Sequence, residues 1–144
     1  MLKKTFIAIS IVLVFACSAL AQNVYTPEKG SAERTAILSA LRVPIEKELK
    51  QKIQFTIQTF NVQGNWAFIN GEPQTLTGER PDFSKTVYRE AIENGAFDNN
   101  FQAVLKKTGG KWKVLKSAIG CTDVCWLEWD KEFKAPKTIF PSYE

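Results

Sequence analysis

Residues 53–71, IQFTIQTFNVQGNWAFING, decide how this chain folds. Ile53, Phe55 and Ile57 alternate with polar residues, and Phe60 and Val62 continue the alternation one residue out of phase. A period of two marks a strand with one buried face. The slip predicts a β-bulge near Thr59. Gly64-Asn65 is a two-residue turn signal leading into Trp66-Ala67-Phe68-Ile69, so residues 53–70 read as a hairpin. A second hairpin follows later, where FQAVLKKT and KWKVLKSAIG flank Gly109-Gly110. There Phe101, Ala103, Leu105, Trp112 and Val114 alternate against lysines, which predicts one buried face and one wet face.

Upstream of the first hairpin, Ala32, Ala36, Ile37, Leu38, Leu41, Ile45 and Leu49 recur at three- and four-residue spacing, an amphipathic helix beginning near Ser31. Pro44 falls inside the pattern and predicts a kink, or a stop near Val43 and a restart. Residues 22–30 have no periodicity and read as a leader that either docks or stays loose. Between the hairpins, Gly71 to Pro81 is a connection. Asp82 to Gly95 reads as a helix through Phe83, Val87 and Ala91, with Asp82 as cap and Gly95 as terminator, although Thr86-Val87-Tyr88 also suits a strand. After the second hairpin, Thr122 to Phe133 predicts a short helix with Asp123 in its first turn and Trp126, Trp129 and Phe133 on one face. Pro136 and Pro141 then hold the end extended. The expected fold is α+β: an N-terminal helix packed on a four-stranded antiparallel sheet of two hairpins, with a short C-terminal helix, in one domain over residues 22–144.

This order of elements resembles the cystatin-like and NTF2-like α+β architectures, in which a curved sheet wraps a long N-terminal helix. The segments Asn65-Trp66-Ala67-Phe68, Gly109-Gly110-Lys111-Trp112-Lys113-Val114 and Ala118-Ile119-Gly120-Cys121-Thr122-Asp123-Val124-Cys125-Trp126 are also similar to a group of small exported bacterial proteins of uncharacterised function. The shared motifs are turns and aromatics, so the resemblance implies a fold and no activity. NTF2-like enzymes often place a histidine and a carboxylate in the cone of the sheet, and this chain has no histidine at all.

The first residues set the expected compartment. Lys3 and Lys4 precede an apolar run from Phe6 to Ala16 broken only by Ser10, and Ala19-Leu20-Ala21 offers a peptidase site, so residues 1–21 read as a signal peptide. That run is well short of the ~20 apolar residues a membrane span needs. A lipidated Cys17 would need a small residue where Phe15 stands. The expected location is periplasmic or secreted, with no membrane span after cleavage. Removing the leader takes two lysines and no acid, lowering the net charge from +4 to +2. So nearly balanced a chain argues against a dedicated nucleic-acid binder, which normally carries a clustered basic face, and nucleic acid is not an expected partner.

The remaining cysteines, Cys121 and Cys125, form an even pair expected to be disulfide-bonded outside the cytoplasm. Their C-x3-C spacing, without further Cys or any His, argues against a redox or metal role, so no metal and no cofactor are expected. The absence of histidine also removes Ser-His-Asp and Cys-His triads and imidazole bases. Carboxylates remain: Asp82, Asp98, Asp123, Glu128 and Asp130 are the candidates for a two-acid hydrolase, with Asp123 between the cysteines also explained as a helix cap. Trp66 and Trp112 read as core. Trp126 and Trp129 read as an aromatic platform beside the disulfide. Lys106, Lys107, Lys111, Lys113 and Lys116 form a basic rim on the second hairpin that suits an anionic envelope polymer or keeps an edge soluble. The expected function is a non-catalytic exported binding module for a protein or envelope ligand, enzyme inhibition being one form of it, using Asp123, Trp126, Trp129, Lys111 and Lys113. The alternatives are an apolar ligand carrier with a pocket between helix and sheet, and a carboxylate-dependent hydrolase.

Overall fold

The computed structural model describes residues 22–142. The expected signal peptide, residues 1–21, lies outside them. Ser31 opens the first helix, α1 (Ala32–Leu49), because its Oγ accepts the Arg34 N–H at 3.2 Å and satisfies an amide that the helix itself leaves free. Ile37, Leu41, Ile45 and Leu49 form its buried stripe. The helix continues through Pro44, which forfeits one backbone bond while Leu41 and Ile45 hold the neighbouring turns against the sheet. Lys50, with φ of 56°, ends it in the left-handed region.

Four strands follow: β1 (Gln54–Gln63), β2 (Trp66–Gln74), β3 (Phe101–Thr108) and β4 (Lys111–Ile119). They form one antiparallel sheet in the order β1-β2-β3-β4. The register of β1 on β2 shifts between Ile57 and Thr59, so the bulge lies where the change of phase predicts it. Gly71 sits opposite Ile57, where a Cβ would lie 2.0 Å from the Thr56 carbonyl oxygen. Only glycine fits there. β2 extends past the predicted hairpin to Gln74 and carries Pro73, but its pairing with β3 ends at Gly71, leaving the proline where β1 is the sole neighbouring strand.

One face of the sheet packs on α1. Phe60, Val62, Ala67, Ile69, Phe101, Ala103, Leu105, Trp112 and Ile119 meet the helix stripe and fill the layer between. The expectation of a wet opposite face is corrected: Phe68 and Val104 are fully buried there beneath Trp129, Ala135 and Ile139, with Trp66, Trp126, Phe133 and Phe140 around them. The covering elements are α3 (Trp129–Phe133) and a 3-10 turn at Lys137–Ile139. They are tied down by the Asn61 side-chain amide, which donates to the Ile139 carbonyl at 2.8 Å. The molecule is thus three layers, with the sheet in the middle.

Two helix expectations are corrected. Within Asp82–Gly95 only α2 (Arg89–Glu93) is helical, and residues 84–88 form turns and a bend. Val87 is 82% exposed, so Phe83, Val87 and Ala91 do not share a buried face. Phe83 and Tyr88 instead turn onto Phe97, with ring centroids 4.8 and 5.3 Å away, and the Arg80 guanidinium lies over Phe83 at 5.5 Å. Aromatic clustering overrides the weak helical periodicity. In the tail, residues 125–128 are turns and the helix begins only at Trp129. Asp123 therefore caps no helix. The leader at residues 22–30 docks: Tyr25 exchanges backbone hydrogen bonds with Val62 at 2.9 and 2.8 Å on the outer side of β1. Among the described residues, no helix is long and apolar enough to cross a membrane.

Candidate binding site beside the disulfide

Where β4 ends, Gly120 turns the chain with φ of 80°, and a Cβ there would lie 2.2 Å from the Phe97 ring. Glycine is the only residue that meets both demands. The next residue is gripped at two points: Asn100 donates from Nδ2 to the Cys121 carbonyl at 2.7 Å and accepts the Cys121 N–H on Oδ1 at 3.0 Å. Cys121 is disulfide-bonded to Cys125, with Cα atoms 6.2 Å apart. An Asn clamp on one side and a covalent bond on the other fix the entry to the loop that carries Trp126.

Trp126 packs on Phe68, with centroids 5.5 Å apart, and Phe140 packs on the same ring at 5.1 Å. Between the loop and the returning tail lies an open groove of about 650 Å³. Its apolar wall comprises Trp126, Leu127, Phe140 and Pro141, and Leu127 is 50% exposed. Its polar side includes Asp130 and Lys137 together with Glu128, whose carboxylate holds Lys131 at 2.8 Å. The size is that of a small-molecule or short-peptide site. An amphipathic, mixed-charge lining suits a polypeptide segment better than a bare hydrocarbon.

The predicted site residues separate. Trp126 is partly buried and lines the groove. Trp129 is only 3% exposed and belongs to the packing under the sheet, so it supports the loop from below. Asp123 is exposed, and its carboxylate accepts the N–H of the adjacent Val124 at 2.7 Å. Lys111 and Lys113 stand on β4 and are not part of this groove. Leu127, Phe140, Pro141 and Lys137 were not anticipated. The one available signal was the aromatic at position 140 between two prolines, a pattern that also suits a plain extended end.

No known protein family, curated protein or solved structure matches this chain. Chemistry must therefore be read from the side chains. Among the described residues, no group of three or more His, Cys, Asp or Glu is placed to hold a metal ion. The disulfide is consistent with an oxidising compartment.

Proposed function

We propose that this chain is a small exported binding module, without catalytic activity of its own, that holds a segment of a partner protein in the groove beside the disulfide. The observation that carries the reading is the open groove itself, bounded by Trp126 and half-exposed Leu127 on a loop immobilised by Asn100 and the Cys121–Cys125 bond. A pre-organised aromatic and aliphatic wall spares the ordering entropy that a loose loop would lose on binding. The leader at residues 1–21 and the disulfide support export. The element order supports a cystatin-like reading of the fold: an extended segment pairs with β1 at Tyr25, a helix follows, and four strands then run in sequence. Inhibition of an enzyme is one form such binding takes.

The packed layer between α1 and the sheet favours this reading over an apolar carrier, because Ile37, Leu41, Ile45 and Leu49 occupy the space a carried ligand would need. The exposed Asp123, whose carboxylate accepts its neighbour's amide and has no acid beside it in the pocket linings among the described residues, gives little support to a two-carboxylate hydrolase.

Capture from an envelope extract tests the proposal, using the parent protein, Trp126→Ala, Leu127→Asp and, as a remote surface control, Val87→Asp. The groove variants are expected to lose about tenfold in captured partner, the effect of removing one interface anchor, while the control behaves as the parent. Equal capture by all four proteins would place the site elsewhere.

A further inference from the structure

The two outer strands of the sheet are treated differently by the chain. On β1 the leader is already in place, with Tyr25 paired to Val62 and the Gln63 side chain donating to the Gln22 carbonyl at 2.7 Å. β4 is a nine-residue strand bonded to β3 on one side. Among the described residues, no other backbone group bonds to residues 111–119. An antiparallel edge of this kind presents alternate N–H and C=O groups ready to pair with another strand.

Beside that edge runs a second groove, of about 490 Å³, between α1 and β4. Ala40, Val43 and Pro44 form the helix wall, and Trp112, Val114 and Leu115 the apolar part of the strand wall, which Lys113, Lys116 and Ser117 complete. Val43 is 71% and Leu115 40% exposed, a large apolar rim for a surface strand. Leu115 is the extra residue of a bulge, since Val104 pairs with Lys116 and Leu105 with Val114. The strand is also basic. β4 carries Lys111, Lys113 and Lys116 and no acid. Lys116 is engaged by Glu132 at 2.8 Å, whereas no carboxylate among the described residues pairs with Lys111 or Lys113. Directly opposite Lys113 on β3 stands a further lysine, Lys106.

Lysines alone would be the ordinary protection of an edge against aggregation. Here they sit beside an apolar trough, and the two features together describe a complementary strand: apolar side chains toward the trough, acidic ones toward the lysines. A second copy of this chain fits poorly, because pairing two β4 strands would set lysines against lysines.

We propose that β4 accepts an extended acidic segment of a partner protein as a fifth strand, with its apolar residues in the α1–β4 groove and its carboxylates on Lys111 and Lys113. Main-chain hydrogen bonds supply affinity and the groove and lysines supply register, the logic of strand addition. This surface is separate from the groove at Trp126, and neither reading depends on the other.

The test uses a fluorescein-labelled octapeptide of alternating Glu and Val, titrated into the purified protein and followed by anisotropy. Saturable binding is expected, with about tenfold weakening for Lys111→Glu/Lys113→Glu and for Val43→Asp, equivalent to the loss of one or two good contacts. Methylation of alternate peptide amides on the pairing edge is expected to abolish binding, and a Lys-Val peptide is expected not to bind. Leu76→Asp, at an exposed position outside both grooves, is expected to bind the probe as the parent does. Absence of binding, equal binding of the methylated peptide, or an unchanged affinity in the lysine variant would overturn the proposal. So would concentration-dependent self-association that the Glu-Val peptide fails to compete away.

Discussion

Glu48 shows how one half-buried contact couples stability to pH. It stands near the end of α1 and accepts the Tyr88 hydroxyl from the segment folded over it. Burial raises its pKa above the usual carboxylate value, because the charged form loses hydration there. The folded state therefore retains this proton to higher pH than the unfolded chain, and stability falls as pH rises from the unfolded value toward the folded one. Glu48→Gln keeps an acceptor for Tyr88 and removes the charge. Its melting temperature is expected to exceed the parent's at neutral pH, and the gap should close below about pH 4, where both side chains are neutral. Thermal melts across that range check this; a gap of equal size at both ends would show that charge is not the cause. Glu46, two residues earlier, has the opposite sign: the hydrogen bond from Lys52, helped by the Ile53 amide, lowers its pKa. Neither shift was legible in the sequence, since both arise from chain segments that meet only on folding.

At the scale of elements, α1 and both hairpins were legible because each carries a periodicity and a boundary residue that agree: Ser31 with the three-four repeat, and Gly64-Asn65 and Gly109-Gly110 with the alternation. Residues 82–88 were not, because rings at 83, 88 and 97 find one another across a turn and no local rule records that. The second buried face of the sheet had a signal that alternation obscured. Trp66 to Ile69 and Ala103 to Leu105 are continuous apolar runs, the mark of strands covered on both sides. Of the site, Trp126 was legible, whereas the groove was not, because its far wall comes from residues 137–142 folding back. Pro44 yields the prediction for this scale. Pro44→Ala restores a backbone donor in the middle of α1 and should stabilise the protein by about 1–3 kcal/mol. Urea unfolding measures it, and a destabilised variant would mean that the proline's ring packing beside β4 outweighs the missing bond.

For the whole molecule, the disulfide closes too few residues to dominate stability. Chain-entropy arguments give about 2 kcal/mol for so short a loop. Cys121→Ser/Cys125→Ser should therefore remain folded at moderate temperature, with a loss of that order in chemical denaturation. The loop between them should exchange its amide hydrogens faster while β2 and β3 remain protected. Global unfolding of the variant would show that the bond carries the fold and not merely the groove.

The cover over Phe68 and Val104 has a temporal side. It is drawn from residues 126–140, which leave the ribosome after every strand has been made. Until they arrive, the middle strands have one greasy surface uncovered. A nascent chain arrested before Trp129 would be complete in its pleated layer yet remain adhesive, so its maturation is gated by the synthesis of its own tail.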